Sequence, residues 1–211
     1  MAQAAKKTRE KFLTPIGRFN FPNVFHKAKA MDADGKDAYD CQIVFDKEYL
    51  KKHPEEMARF KKIQAGLDAA CVAMFKKPVK ETQAKIPRFW NPVRQGEEKE
   101  HLEGYGAGTI FFKAKTYKKP GVVGPDAKTP IDDEEAIYSG CYGRLSVTPF
   151  AYGEGGKNTR GGKGVSLMLN SVMFVKDGER LDGGSNPEED FGEVALDDPD
   201  TGGGDDDDDL T

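Results

Sequence analysis

Two short segments carry residue types that could do chemistry. In TIFFKAKTY (109–117) a period of two sets Phe111, Lys113, Lys115 and Tyr117 on one side, and Ile110, Phe112 and Ala114 on the other. In YSGCYGRLSVTPFAY (138–152) it groups Tyr138, Gly140, Tyr142, Arg144, Ser146, Thr148, Phe150 and Tyr152 against Cys141, Leu145, Val147 and Ala151. The second set of each suits an interior, whereas the first interleaves aromatic rings with cations. Single-stranded nucleic acid needs that mixture: a base stacks on Tyr, Phe or Trp for roughly 1–3 kcal/mol, and Lys or Arg neutralises the phosphates between bases. Alternation leaves a second reading open, in which the rings pack beneath neighbouring loops.

Other candidates lie outside these strands. The turn GEGGKNTRGGKG (153–164) sets Lys157, Arg160 and Lys163 among glycines. A phosphate-binding P-loop needs Gly five residues before its Gly-Lys pair and Ser or Thr after the lysine. Here those places hold Lys157 and Gly164, so the turn reads as a flexible basic hairpin able to close over a strand. KIPRFWNP (85–92) carries Arg88 and the one tryptophan, Trp90, which suits a core plug and a stacking platform equally. No catalytic constellation and no cofactor motif is expected. Asp132, Asp133, Glu134 and Glu135 are the one acidic group that could serve a metal-dependent nuclease, although adjacent carboxylates in a Pro-containing loop are usually solvated. Cys41, Cys71 and Cys141 lie far apart, and the three histidines do not cluster with them. Buried free thiols are expected, and neither a zinc site nor a disulfide framework.

These candidates must be positioned by a small β domain. FLTPIGRFNFPNVF (12–25) reads as a bent strand, limited to edge or bulged positions by Pro15 and Pro22. Asp34-Gly35 marks a hairpin turn leading into AYDCQIVFD, where Tyr39, Cys41, Ile43 and Phe45 alternate. Pro54 opens a helix to about Lys76, with Met57, Phe60, Ile63, Leu67, Cys71 and Met74 on one face. Residues 77–107 and 118–135 are long non-periodic excursions. Strands at 109–117, 137–150 and 164–175 complete the inventory. The expected fold is mainly β: a five-stranded OB-fold-like barrel with one α-helix, long loops and a disordered acidic tail. The helix follows the second strand rather than the third, so either an early strand is hidden near 22–30 or the topology differs.

Charge divides the chain sharply. Residues 177–211 hold 15 acidic residues and one basic residue, leaving 21 acidic and 31 basic residues over 1–176. A body of +10 thus precedes a tail of -14, giving the net -4. The expected division is a domain over 1–182 and a disordered acidic tail over 183–211, ending in Asp205, Asp206, Asp207, Asp208 and Asp209. A tethered polyanion beside a basic surface competes with any anionic ligand at high effective concentration. The start MAQAAKKTREKF does not read as a secretory signal, and no apolar run approaches the roughly 18 residues of a membrane span. A cytoplasmic protein is expected.

YSGCYGRLSVTPFAY, the glycine-basic turn, GVSLMLNSVMFVKDGERLDGG and the acidic end together resemble a family of bacteriophage single-stranded DNA-binding proteins. The resemblance also extends, more distantly, to phage replication proteins with an OB-fold and an acidic C-terminal tail. It implies a non-enzymatic protein binding single-stranded DNA with little sequence preference, serving replication, recombination or repair. Lys115, Tyr117, Phe150 and Tyr152 then fall at DNA-contacting positions. Replication proteins dock through the tail, and a homo-oligomer is compatible. Leu210-Thr211 follows the acidic run where those phage replication proteins place an aromatic residue. An RNA-binding module, a nuclease and an acidic DNA mimic are the readings that stand against it.

Overall fold

A computed structural model describes residues 10–30, 35–153 and 162–181. The bent N-terminal segment is two strands: β1 (Phe12–Leu13) and, after Thr14, Pro15 and Ile16, the long β2 (Gly17–Ala28). Pro22 coincides with a register irregularity between Asn20 and Asn23, where the ladder of β2 with β3 (Ala38–Asp46) shifts before resuming at Asn23 opposite Asp40. The 22–30 stretch is thus the second half of β2 and not a further strand. Asp46 then caps α1 (Lys47–Lys52), its side chain accepting the Tyr49 N–H at 2.7 Å. Pro54, which needs no N–H at a first helical position, opens α2 (Pro54–Phe75).

The segment 77–107 is more ordered than its lack of periodicity suggests. It holds α3 (Val79–Lys85), the two-residue β4 (Arg94–Gln95) and a 3-10 turn over Gly96–Lys99. Then come β5 (Thr109–Thr116), β6 (Gly121–Val123), β7 (Tyr142–Tyr152) and β8 (Gly164–Lys176). The described residues hold three α-helices where one was expected. The extra two are short and flank α2, so neither spans enough turns to show a helical period.

Five strands close into a ring. β2 pairs antiparallel with β3, β3 antiparallel with β5, β5 parallel with β8, β8 antiparallel with β7, and β7 antiparallel with β2. That is the OB-fold strand order, with α2 entered between the second and third ring strands. The closing seam is short: Gly17 and Arg18 face Gly143 and Tyr142. A Cβ on Gly17 would sit 2.6 Å from Ile43 Cγ1, and one on Gly143 would overlap the Phe19 ring, so glycine permits this closure.

Inside the ring lie Phe19, Cys41, Ile43, Phe45, Phe112, Ala114, Leu145, Val147, Val165, Leu167 and Leu169, all essentially inaccessible. The apolar stripe of α2 packs against this core, with the Phe60 and Phe45 rings 5.8 Å apart and Gly66 pressed over Pro149 and Phe12. The three cysteines are buried free thiols. Beyond β8, residues 177–181 turn back along 138–140. Leu181 N–H donates to the Ser139 carbonyl at 2.8 Å, and Arg18 holds the Glu179 carbonyl at 2.6 Å. No helix among the described residues is long and apolar enough to cross a membrane.

Candidate nucleic-acid interface

Because Ala114 and Leu167 point inward and pair, their neighbours Lys113, Lys115, Ser166 and Met168 face outward on β5 and β8. On β7, Phe150 lies opposite Ser166 and Tyr152 opposite Gly164, which extends this outer face across a third strand. Tyr117 stands past the end of β5, 56% exposed, with Lys115 Nζ 5.9 Å from its ring centre. Tyr117 also walls a groove with Lys27 of β2 and Lys36 and Asp37 of the β2–β3 connection. Phe150 and Tyr152 are half-buried with centroids 6.2 Å apart, and burial pushes the Tyr152 hydroxyl pKa up.

Trp90 reaches the same region from outside the ring. Its N–H donates to the Lys163 carbonyl at 2.9 Å and its carbonyl accepts from Val165 N–H at 3.0 Å, bridging it to Gly164. A Cβ on Gly164 would lie 2.6 Å from the Trp90 carbonyl oxygen, so glycine allows the approach. The backbone is pinned while the indole stays 42% exposed. Gly164 thereby sits between Trp90 and Tyr152, with Lys163 at the mouth of the glycine-rich turn. In the OB-fold, oligonucleotides bind across the second and third ring strands and the two loops that flank this surface.

Alternation placed Phe111 and Arg144 on the outer face, and both are engaged otherwise. Phe111 does face outward, but residues 96–108 cover it: the ring is 2% exposed and meets Tyr105 edge-on at 5.0 Å. Arg144 forms a two-pronged pair with Glu56 of α2, at 2.7 and 2.8 Å, and also donates to the Thr14 carbonyl at 2.9 Å. Burial raises the Glu56 carboxyl pKa, but hydrogen bonds from Arg144 and Ile16 N–H and the charges of Arg144 and Arg59 outweigh it, leaving it lowered. Tyr138 and Tyr142 lie at the far end of β7. The Tyr138 hydroxyl sits 2.9 Å from the Asp177 carboxylate, Arg180 stacks 4.2 Å over its ring, and Lys176 stacks 4.9 Å over Tyr142.

Lys113 is ion-paired at 2.6 Å with Asp40, a nearly buried carboxylate that also accepts from Asn23 at 2.9 Å. Arg88 is exposed with φ +57. Lys157, Arg160 and Asp205 to Asp209 lie outside the described residues. Asp132 to Glu135 are exposed; Glu134 is 2.6 Å from His26, and Asp133 caps the Glu135 N–H.

Arg94 and Lys99 join this surface without having been singled out. Arg94 lies 5.5 Å from the Trp90 centroid and 5.7 Å from that of Phe111, and is braced by Glu98. Lys99 Nζ sits 5.2 Å from the Phe111 centroid and donates to Gln42 Oε1 at 2.6 Å. Its pKa is lowered by burial, then by the charges of Arg94 and Lys113. The four-residue spacing of Arg94 and Glu98 was the available signal, weak in a segment without period.

A model of the family of the Enterobacter phage Enc34 ssDNA-binding protein matches residues 10–201. The chain belongs to that family. Among individual relatives, protein p50 of Acyrthosiphon pisum secondary endosymbiont phage 1 is 30% identical to this chain over 105 residues. That match spans 49% of this chain and 53% of p50, so it covers only about half of either protein. The single-stranded DNA-binding protein from bacteriophage Enc34, solved in complex with ssDNA, superposes with a TM-score of 0.63 at 18% identity, covering 84% of this chain and 96% of that one. Bacteriophage T7 gp2.5, a single-stranded DNA-binding protein, gives 0.53 at 17% identity over 90% and 98%. At these identities the likeness is one of fold.

Proposed function

We propose that this chain is a non-enzymatic single-stranded DNA-binding protein of a bacteriophage, acting in the cytoplasm of the infected host. It binds without strong sequence preference, by stacking and phosphate neutralisation, and serves DNA replication, recombination or repair. The observation that carries the reading is the outer face itself. Exposed Tyr117 and Trp90 and half-buried Phe150 and Tyr152 lie there among Lys113, Lys115 and Lys163, on a face that shares β5 and the β7–β8 loop with the surface an OB-fold uses for oligonucleotides. Membership of the Enc34 family supports it.

The domain ends near residue 182, and the acidic residues 183–211, with Asp205 to Asp209 last, compete with DNA for the basic face and dock replication or recombination proteins once displaced. Lys157 and Arg160 close over the bound strand together with Lys163. An electrophoretic shift assay with matched single-stranded DNA, duplex DNA and RNA oligonucleotides tests the function. Binding of single-stranded DNA ahead of the other two is expected; preference for duplex, or binding of none, overturns it.

A further inference from the structure

We infer that Phe21 is a second nucleobase-stacking station, set apart from the β5–β8–β7 face and joined to it through Lys99. The inference rests on the single-stranded DNA reading above. Phe21 has φ +49, the left-handed region that a bulky residue adopts only under constraint. The constraint is visible: its N–H donates to Ser139 Oγ at 3.0 Å, its carbonyl accepts from Asn23 Nδ2 at 3.2 Å, and Pro22 follows. The outcome is a phenyl ring 44% exposed, although Phe19 and Val24 on the same strand are buried. Strain of this kind persists where surrounding structure over-determines it, and it gathers at ligand-binding positions.

The ring also has a defined electrostatic setting. Lys99 Nζ lies 5.8 Å from the Phe21 centroid and 5.2 Å from that of Phe111, and Arg94 continues from Phe111 to Trp90. Rings and cations therefore alternate in the order Phe21, Lys99, Phe111, Arg94, Trp90. The middle ring is buried and the two end rings are exposed. Such a row offers a stacking surface at each end and positive charge for the phosphates between. On its other side Phe21 borders a cleft lined by Asn23, Tyr138, Ser139, Glu134, Glu135 and Arg180, the last stacked 4.2 Å over the Tyr138 ring. Two carboxylates there face a single cation, so the Lys99 side is the more favourable one for the phosphates while a base covers the ring.

The test uses the full chain with Phe21→Asn and Phe21→Trp, because Asn adopts the left-handed conformation readily and removes the ring. For Phe21→Asn the expected result is an unchanged or higher Tm with affinity for a single-stranded oligonucleotide down by about tenfold, the loss of one stacked base. Phe21→Trp retains affinity, and in a Trp90→Phe background its fluorescence is quenched by the oligonucleotide. Wild-type affinity in Phe21→Asn, or a Tm that falls while affinity holds, overturns the station and leaves the function standing. A wild-type chain that binds no single-stranded DNA overturns the function itself.

Discussion

Replacing Arg144 separates a fold-holding cation from a DNA-binding one. Glu56 is 5% exposed at its side chain, and its carboxylate is satisfied by both Arg144 nitrogens and by Ile16 N–H at 2.8 Å. Arg144→Met leaves that carboxylate buried with only Ile16 and the more distant Arg59, 3.8 Å away. Removing one partner of a buried pair costs about 3–5 kcal/mol, against about 0–1 kcal/mol for an exposed pair. In a domain of this size that lowers Tm by roughly 6–20 °C. The double variant Glu56→Gln/Arg144→Met recovers most of the loss, because Gln still accepts from Ile16 N–H and no charge stays buried.

Acid dependence follows in sign. Glu56 is depressed below its ordinary value of 4.5, so the stability it contributes is complete above that pH and fades as pH falls through the lower folded value. Arg144→Met loses this steep acid limb. Thermal melts by circular dichroism across pH, with oligonucleotide binding measured on the folded variant at low temperature, check both points. A variant that melts like wild type but binds DNA much more weakly would refute the reasoning and return Arg144 to the interface.

Tyr117→Ala is expected to weaken single-stranded DNA binding by about 1–3 kcal/mol in fluorescence anisotropy, with Tm unchanged, since its ring is 56% exposed. Phe111→Ala has the opposite signature: chemical denaturation shows a loss of about 3–5 kcal/mol, because a buried ring and the cover over it lose their packing. Truncation after Leu181 tightens binding if the acidic residues compete with DNA, and wild-type affinity would end that idea. A cut after Lys176 also lowers Tm, because it removes the 177–181 segment that Arg18 and Ser139 hold.

Regular alternation made the ring legible. Cys41, Ile43 and Phe45 on β3, and Phe112 and Ala114 on β5, face inward as their period requires. The stripe Phe60, Ile63, Leu67 and Cys71 likewise identified the buried face of α2. What escaped has a common cause, because a period reports which side a residue takes and not what lies over that side. Phe111 and Lys113 share a face, yet the 96–108 segment covers one and leaves the other exposed. Arg144 meets Glu56 across 88 residues of sequence, a contact no local pattern encodes. Arg94 and Lys99 act from short elements, fixed by tertiary bridges to β5 and Gln42. Phe21 was hidden differently, inside a strand whose irregularity the adjacent proline announced but did not orient.

Asp40 gives the outer face an internal counterion. Lys113 is already neutralised by this protein carboxylate at 2.6 Å, so a phosphate arriving there displaces a protein anion contact rather than neutralising a bare ammonium. The salt dependence of binding counts solution ions released, with a slope of roughly 0.7 per phosphate neutralised on a single strand. Lys115 and Lys163 enter that count in full, while Lys113 enters it only to the extent that Asp40 lets go. Counting cations on the face therefore overstates the slope, and Asp40→Asn steepens it.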